Sequence, residues 1–307
     1  MCLCRQYDHF SSCDCHELRN IRVGNLKYLV TGGEGYVGRY VARWLIENGH
    51  TVVLTSRRGT TQISGAEVVH VDILNSTSDI FEQVGRPDVL IHLAWEDGFR
   101  HTSDKHLKNL PGHISFIRNM LEGGLKHVVG LGTMHEVGYH VGPISENTPT
   151  SPQHAYGIAK DHLRLVQELY CKEFSAVSQW LRCYYIYGDD ELNNSIFAKL
   201  LQAVQDGKDA FPLNSGELLY DFIHVKDLGA QIGAVSTQTD VVGVINCCSG
   251  EPTSLKTMVY RFVKMHSLNI KLDWGKFPLR PYDSRAVWGD SEKLTKALTA
   301  ANVTVDH

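Results

Sequence analysis

No stretch of this 307-residue chain approaches the ~18 consecutive apolar residues of a membrane-spanning helix, so none is expected to cross a bilayer. Basic residues are in no excess, with 30 Lys and Arg against 34 Asp and Glu and a net charge of −4, which excludes the electrostatic footprint of a nucleic-acid binder. There are no internal repeats and no long low-complexity tract. Residues 1–25 lack the apolar core of a secretion signal. Their cysteines, at positions 2, 4, 13 and 15 beside His9 and His16, miss the spacings of common zinc modules. This leader reads as a disordered extension, or as translation from an upstream start, with a zinc site the alternative. No metal is expected elsewhere. What remains is an ordinary soluble composition, 43% hydrophobic, and long enough for one α/β domain with a smaller interleaved cap. Cys171, Cys183, Cys247 and Cys248 fall in predicted helix, strand or strand end, as small buried residues of a reduced, cytoplasmic protein do.

Strand and helix patterns alternate through the first 180 residues, which predicts a doubly wound parallel sheet with helices on both faces. The run 26–31 reads as a strand and feeds Gly32-Gly33-Glu34-Gly35-Tyr36-Val37-Gly38, followed by a helix over 39–48. Glycines 32, 35 and 38 remove the side chains that would keep a pyrophosphate from the backbone N–H groups and the helix N-terminus. Gly49 closes the helix, and 51–55 is the second strand. The runs 68–73 and 88–94 read as the third and fourth. Asp72 is then placed to meet an adenine edge, with Ile73 beside it, and Leu93 and Ala94 pass under a cofactor.

A second absence concerns that cofactor. NAD-binding folds usually place Asp or Glu after strand two to hold the ribose 2′-hydroxyl. Here Ser56-Arg57-Arg58 follows instead. Two guanidinium groups without a carboxylate favour NADP(H), with NAD(H) the alternative; as a bland reading they are a solvated loop. Farther along, Tyr156-Gly157-Ile158-Ala159-Lys160 puts a phenol and an ammonium on one helical face. A free phenol has a pKa of about 10. A charge about 4 Å away at an effective dielectric near 20 contributes roughly 4 kcal/mol, enough to bring it toward neutrality. Taken alone, the pair is also what any amphipathic helix surface offers.

The turn TGGEGYVG, the strand end LIHLAW, Thr133 after a strand over 127–132, YGIAK, YDFIHVKDLG (220–229) and NCCSGEPTSL (246–255) together resemble the extended short-chain dehydrogenase/reductases. That group includes nucleotide-sugar epimerases, dehydratases and ketoreductases. The similarity covers residues 26–290. It implies a catalytic triad of Thr133, Tyr156 and Lys160, a supporting Asn109, and cofactor contacts from the turn, including Tyr36 and Val37. It implies substrate contacts from His135, Glu136, Asn193, Asn194 and Arg280, the last gripping a nucleotide diphosphate with its planar fork. Arg182 and Arg285 are weaker candidates for that task, and Asp221 and His224 read as backbone supports. His135 and Glu136 read equally as a loop histidine and a capping glutamate. The dehydratases' Asp-Glu pair is missing, because Met134 and His135 follow Thr133. The expectation is an NAD(P)H-dependent reductase of the 4-keto group of a nucleotide-activated 6-deoxyhexose, dTDP favoured. An NAD-dependent epimerase or a non-catalytic NADP(H) sensor is the alternative. Residues 26–182, with 220–250 returning, form the expected dinucleotide domain. Residues 183–219 and 251–307 form the substrate region, and a homodimer is expected.

Overall fold

The computed structural model describes residues 24–303 except 58, 189–194 and 281. The leader's cysteines, Arg58, Asn193 and Asn194 lie outside the described residues. The chain begins β1 (Lys27–Thr31), α1 (Gly38–Glu47), β2 (Thr51–Thr55), β3 (Glu67–Val69), α2 (Ile80–Gln83), β4 (Val89–His92), α3 (Lys105–Glu122) and β5 (His127–Thr133). It continues through β6 (Gly142–Ile144), α4 (Ala155–Glu173), β7 (Val177–Cys183), β8 (Tyr185–Tyr187), α5 (Ile196–Gln205), β9 (Ala210–Pro212) and β10 (Leu219–His224). Last come α6 (Val225–Val235), β11 (Gly243–Cys247), β12 (Pro252–Ser254), α7 (Leu255–Met265), β13 (Lys271–Asp273), β14 (Ala286–Gly289) and α8 (Glu292–Ala300).

Seven parallel strands pair in the order β11-β7-β5-β4-β1-β2-β3. Strand β4 is buried along its whole length and β1 along all but Lys27, because helices cover both faces of the sheet. On one face Val41 and Leu45 of α1, Leu228 and Ile232 of α6 and Leu294 of α8 share one core. On the other, Ile80 of α2, Phe116 and Met120 of α3 and Leu163 of α4 share a second. This is the doubly wound α/β arrangement expected from the sequence. Strand order reverses beside β1, so the carboxyl ends of β1 and β4 open the crevice where such sheets bind ligands.

A smaller region is woven from β12-β10-β14-β6, with β8 on β10 and a separate β9–β13 pair. Phe197 of α5, Phe222 of β10 and Phe262 of α7 fill its core. Its composition differs from the boundaries drawn on the sequence. Strand β6, from within 26–182, and β10, from within 220–250, both join the smaller sheet. Helix α8, assigned to the substrate region, packs instead on α6 and β11 of the large domain. The expected third strand also stops early. Only Glu67–Val69 pair with β2, and at Asp72 the chain turns into a 3-10 turn over Ile73–Asn75.

Candidate active site

The glycine turn opens where β1 ends. Thr31 is buried, and its hydroxyl oxygen accepts from the N–H groups of Leu93 and Ala94, both at 3.2 Å, tying the end of β4 beneath the turn. Gly32 has φ +68°, and a Cβ there would lie 2.7 Å from Ala94 N. A Cβ on Gly38 would lie 2.1 Å from Gly32 O, so the turn closes only with hydrogen at both positions. This side-chain-free cradle, ahead of the N-terminus of α1, fits a dinucleotide pyrophosphate. Tyr36 and Val37 carry the chain from it into α1, and the Arg39 guanidinium lies 5.8 Å from the Tyr36 ring centroid.

The remaining cofactor candidates sit at the strand ends. Buried Ser56 donates to Thr60 O at 3.3 Å, and Arg57 is exposed. Asp72 caps the turn after it, accepting from Leu74 N at 3.1 Å and from Asn75 Nδ2 at 2.7 Å, while Ile73 is buried.

Thr133 ends β5, and Tyr156 and Lys160 lie one turn apart on α4. Thr133 Oγ1 accepts from His135 N at 3.3 Å and also lies within hydrogen-bonding reach of the Tyr156 hydroxyl. That contact favours the phenolate, but burial outweighs it and pushes the phenol well up, with the Cys183 thiol and the Glu136 carboxyl adding to the effect. Lys160 is 3% exposed; its Nζ donates to Leu131 O at 2.8 Å and lies 3.9 Å from the Trp95 ring centroid. Burial lowers Lys160 to about 7. The acidification of Tyr156 by Lys160 expected from their spacing is therefore corrected. Desolvation acts on both groups, and the ammonium is directed at a carbonyl and an indole face.

Below Trp95 a chain of imidazoles fixes the floor. Thr31 Oγ1 and His92 Nδ1 are 2.9 Å apart, as are His92 Nε2 and His113 Nδ1, and His113 stacks on Trp95 with centroids 4.7 Å apart. Because Thr31 already accepts from two amides, its hydroxyl proton goes to His92 Nδ1, and His92 Nε2–H then donates to His113. The indole is anchored further by donating from Nε1 to His106 Nδ1 at 3.0 Å.

The substrate candidates divide. Glu136 is fully buried and accepts from Thr133 N at 2.7 Å and Trp180 Nε1 at 2.9 Å. Its Oε2 lies 3.2 Å from Arg182 Nε. Thus Glu136 caps and braces rather than meeting a sugar, and Arg182, buried with it, is no diphosphate ligand. His135 instead lines a crevice with Met134, His154, Tyr185, Tyr282 and Ser284. Arg280 reaches the same mouth, its Nη2 2.9 Å from Asp283 Oδ1 and its guanidinium carbon 5.0 Å from the Tyr282 ring centroid. Asn109, on α3, donates to Glu96 Oε2 at 3.0 Å. Asp221 is buried and accepts from the N–H groups of Ser249, Gly250 and Gly289, while His224 caps α6.

Residues the sequence did not single out complete the pocket. His101, from the loop after β4, stacks on Tyr156 with centroids 5.4 Å apart and planes at 11°. Nitrogens of His101, His135 and His154 lie within 4.8 Å of one another. His154 Nδ1 accepts from Gly157 N at 3.2 Å as the cap of α4, which places its proton on Nε2 and makes that atom a donor into the cluster. Burial lowers all three, His101 to about 4, and the neighbouring Arg280 charge adds to it, so they are neutral at pH 7. The cleft thus offers neutral donors and acceptors beside one phenol. That set suits an uncharged polyol over a nicotinamide ring.

Residues 28–248 match the NAD dependent epimerase/dehydratase family. The dTDP-6-deoxy-L-talose 4-dehydrogenase (NAD(+)) of Aggregatibacter actinomycetemcomitans is 45% identical over 275 residues, spanning 86% of this chain and 99% of that protein. The UDP-glucose 4-epimerase of Corynebacterium glutamicum is 26% identical over 303 residues, 89% of this chain and 90% of that protein. Among solved structures, the UDP-N-acetylglucosamine 4-epimerase of Methanobrevibacter ruminantium M1 superposes with a TM-score of 0.78 at 18% identity, covering 92% of this chain and 94% of that one. The UDP-glucuronic acid 4-epimerase of Bacillus cereus, with UDP-glucuronic acid and NAD, gives 0.76 at 22%, covering 90% and 93%. Two of these four names carry NAD and none carries NADP, so the NADP(H) preference expected from Ser56-Arg57-Arg58 finds no support in them.

Proposed function

This chain belongs to the NAD dependent epimerase/dehydratase family, and from that premise we propose that it interconverts the C4 hydroxyl and C4 ketone of a dTDP-activated 6-deoxyhexose with NAD(H). The observation that carries the reading is the Tyr156 hydroxyl within reach of Thr133, its ring 6.3 Å from that of Trp95, which follows the Leu93-Ala94 backbone packed on Gly32. Its chemistry matches the reaction named for the 45% identical relative. Net reduction was the direction expected from the sequence; that relative is named for oxidation, and one site serves both by microscopic reversibility.

When bound, the nicotinamide accepts or returns the C4 hydride. The protein supplies the rest. Thr133 and Tyr156 hold the C4 oxygen. As a phenol, Tyr156 gives its proton to a ketone oxygen; as a phenolate, it takes the proton of the hydroxyl. Burial favours the phenol, and the hydrogen bond with Thr133 opposes that bias. His101 stacks on the Tyr156 ring and restricts its rotation. Neutral His135 and His154 supply hydrogen bonds to ring hydroxyls, and Arg280 stands at the mouth to exchange Asp283 for a diphosphate.

Ile158, Leu165 and Leu169 of α4 and Leu107 of α3 are exposed apolar side chains on adjacent helices, which supports a homodimer through this pair. Among the described residues no helix is long and apolar enough to cross a membrane. The four described cysteines are free and buried, in keeping with a reducing, cytoplasmic location. Mixing the protein with NAD+ and dTDP-6-deoxy-L-talose and recording 340 nm absorbance tests the function. A substrate-dependent rise supports it. Sugar interconversion without NADH release would make the chain an epimerase, and cofactor binding without turnover a sensor.

A further inference from the structure

The end of β2 carries no carboxylate, since Thr55 is followed by Ser56 and Arg57. A carboxylate reaches the loop after β2 from the glycine turn. Glu34 stands inside the glycine turn, between Gly33 and Gly35, with its side chain exposed. Its Oε1 accepts a hydrogen bond from the Thr61 hydroxyl, in the loop that follows β2. Thr61 is itself oriented, because its oxygen accepts from Ile63 N at 3.0 Å and its proton is left to go to Glu34. Ser56 donates to Thr60 O at 3.3 Å, which draws that loop back onto the strand end. One carboxylate therefore bridges the phosphate turn and the carboxyl end of the second strand. Among the described residues its second oxygen has no hydrogen-bond partner.

We propose that Glu34 selects the cofactor, accepting a hydrogen bond from the adenosine ribose 2′-hydroxyl of NAD(H) and repelling the 2′-phosphate of NADP(H). The inference rests on the NAD(H) reading above and explains how a chain with arginine after β2 keeps it. Arg57 is exposed, and among the described residues no hydrogen bond fixes its guanidinium, so gripping a phosphate would cost it side-chain entropy that Glu34, held by Thr61, has already lost. A fixed carboxylate opposing a dianionic phosphate acts at short range, where like charges are strongly disfavoured. A hydroxyl in the same place is a donor that the carboxylate accepts.

Dissociation constants for NAD+ and NADP+, measured separately by tryptophan fluorescence on wild-type protein and on Glu34→Gln, test this without recourse to turnover. Glutamine keeps the size and the Thr61 contact while removing the charge, and Glu34 is exposed, so the melting temperature should hold within about 2 °C. Wild type should bind NAD+ more tightly than NADP+. Glu34→Gln should tighten NADP+ by about tenfold or more and weaken NAD+ severalfold, the scale of one hydrogen bond to a charged group. A wild-type preference for NAD+ that Glu34→Gln leaves unchanged within about threefold overturns the role of Glu34 while sparing the NAD(H) reading. A wild-type preference for NADP+ overturns both.

Discussion

Replacing Lys160 with methionine should make the cofactor-free protein more stable while stopping its chemistry. Lys160 is 3% exposed, and burial lowers it from 10.5 to about 7. That difference corresponds to roughly 5 kcal/mol of disfavoured charge in the folded state. Methionine fills a similar volume and leaves Leu131 O without its donor, a loss of about 1–3 kcal/mol. The net gain is then about 2–4 kcal/mol, or on the order of 5 °C in melting temperature. Its pH dependence has a definite sign. Between pH 7 and 10.5 the unfolded chain holds the lysine proton and the folded chain has released it, so wild-type stability rises with pH across that window. The advantage of Lys160→Met is therefore full below pH 7 and fades toward pH 10.5. Thermal melts of both proteins at pH 6, 7.5 and 9, without cofactor, read this out. A variant that melts below wild type at pH 6, or a gap that does not close with pH, would refute the account of the buried ammonium.

Tyr156→Phe should lower kcat by about 10²–10⁴ with NAD+ affinity held within a few-fold, checked by steady-state kinetics and fluorescence titration. Gly38→Ala places a methyl 2.1 Å from Gly32 O, so the turn must open; NAD+ binding should fall and the fold should lose about 1–3 kcal/mol, measurable by calorimetry. Glu136→Gln leaves Arg182 charged and buried without its counter-ion, and urea unfolding should report a loss of about 3–5 kcal/mol. Lowered imidazoles act in the other pH range. His101 and His113 stay neutral in the folded protein while the unfolded chain protonates near 6.5, so their contribution to stability is present above that value and is lost as pH falls toward 4. Sugar binding, in contrast, should hold between pH 8 and 7, where the lowered His101, His135 and His154 are all neutral.

The sheet and the glycine turn were legible because each rests on neighbours in the chain: a buried run for each strand, and glycines where a Cβ has no room. The third strand was overextended because Asp72 turns the backbone by capping, a local hydrogen bond that an apolar pattern does not register. Glu136 was weighed as a sugar contact because its partners, Trp180 and Arg182, come from β7, over forty positions away. His101 went unremarked for the same reason, since it reaches Tyr156 only through the loop after β4. Two further signs are readable in the chain itself: Trp95 stands three residues past β4, whose end opens on the cofactor crevice, and Glu34 stands inside the phosphate turn. The depressed Lys160 was beyond reach of sequence, because four-residue spacing reports a shared helical face and says nothing of the solvent removed from it.

The role of Tyr156 is read out in one single-turnover mixture of the protein, NAD+ and dTDP-6-deoxy-L-talose, followed at 340 nm beside the Tyr156→Phe variant. Wild type should give stoichiometric NADH and a 4-ketosugar, and the variant bound cofactor without NADH. NADH formed equally by both proteins would contradict that role.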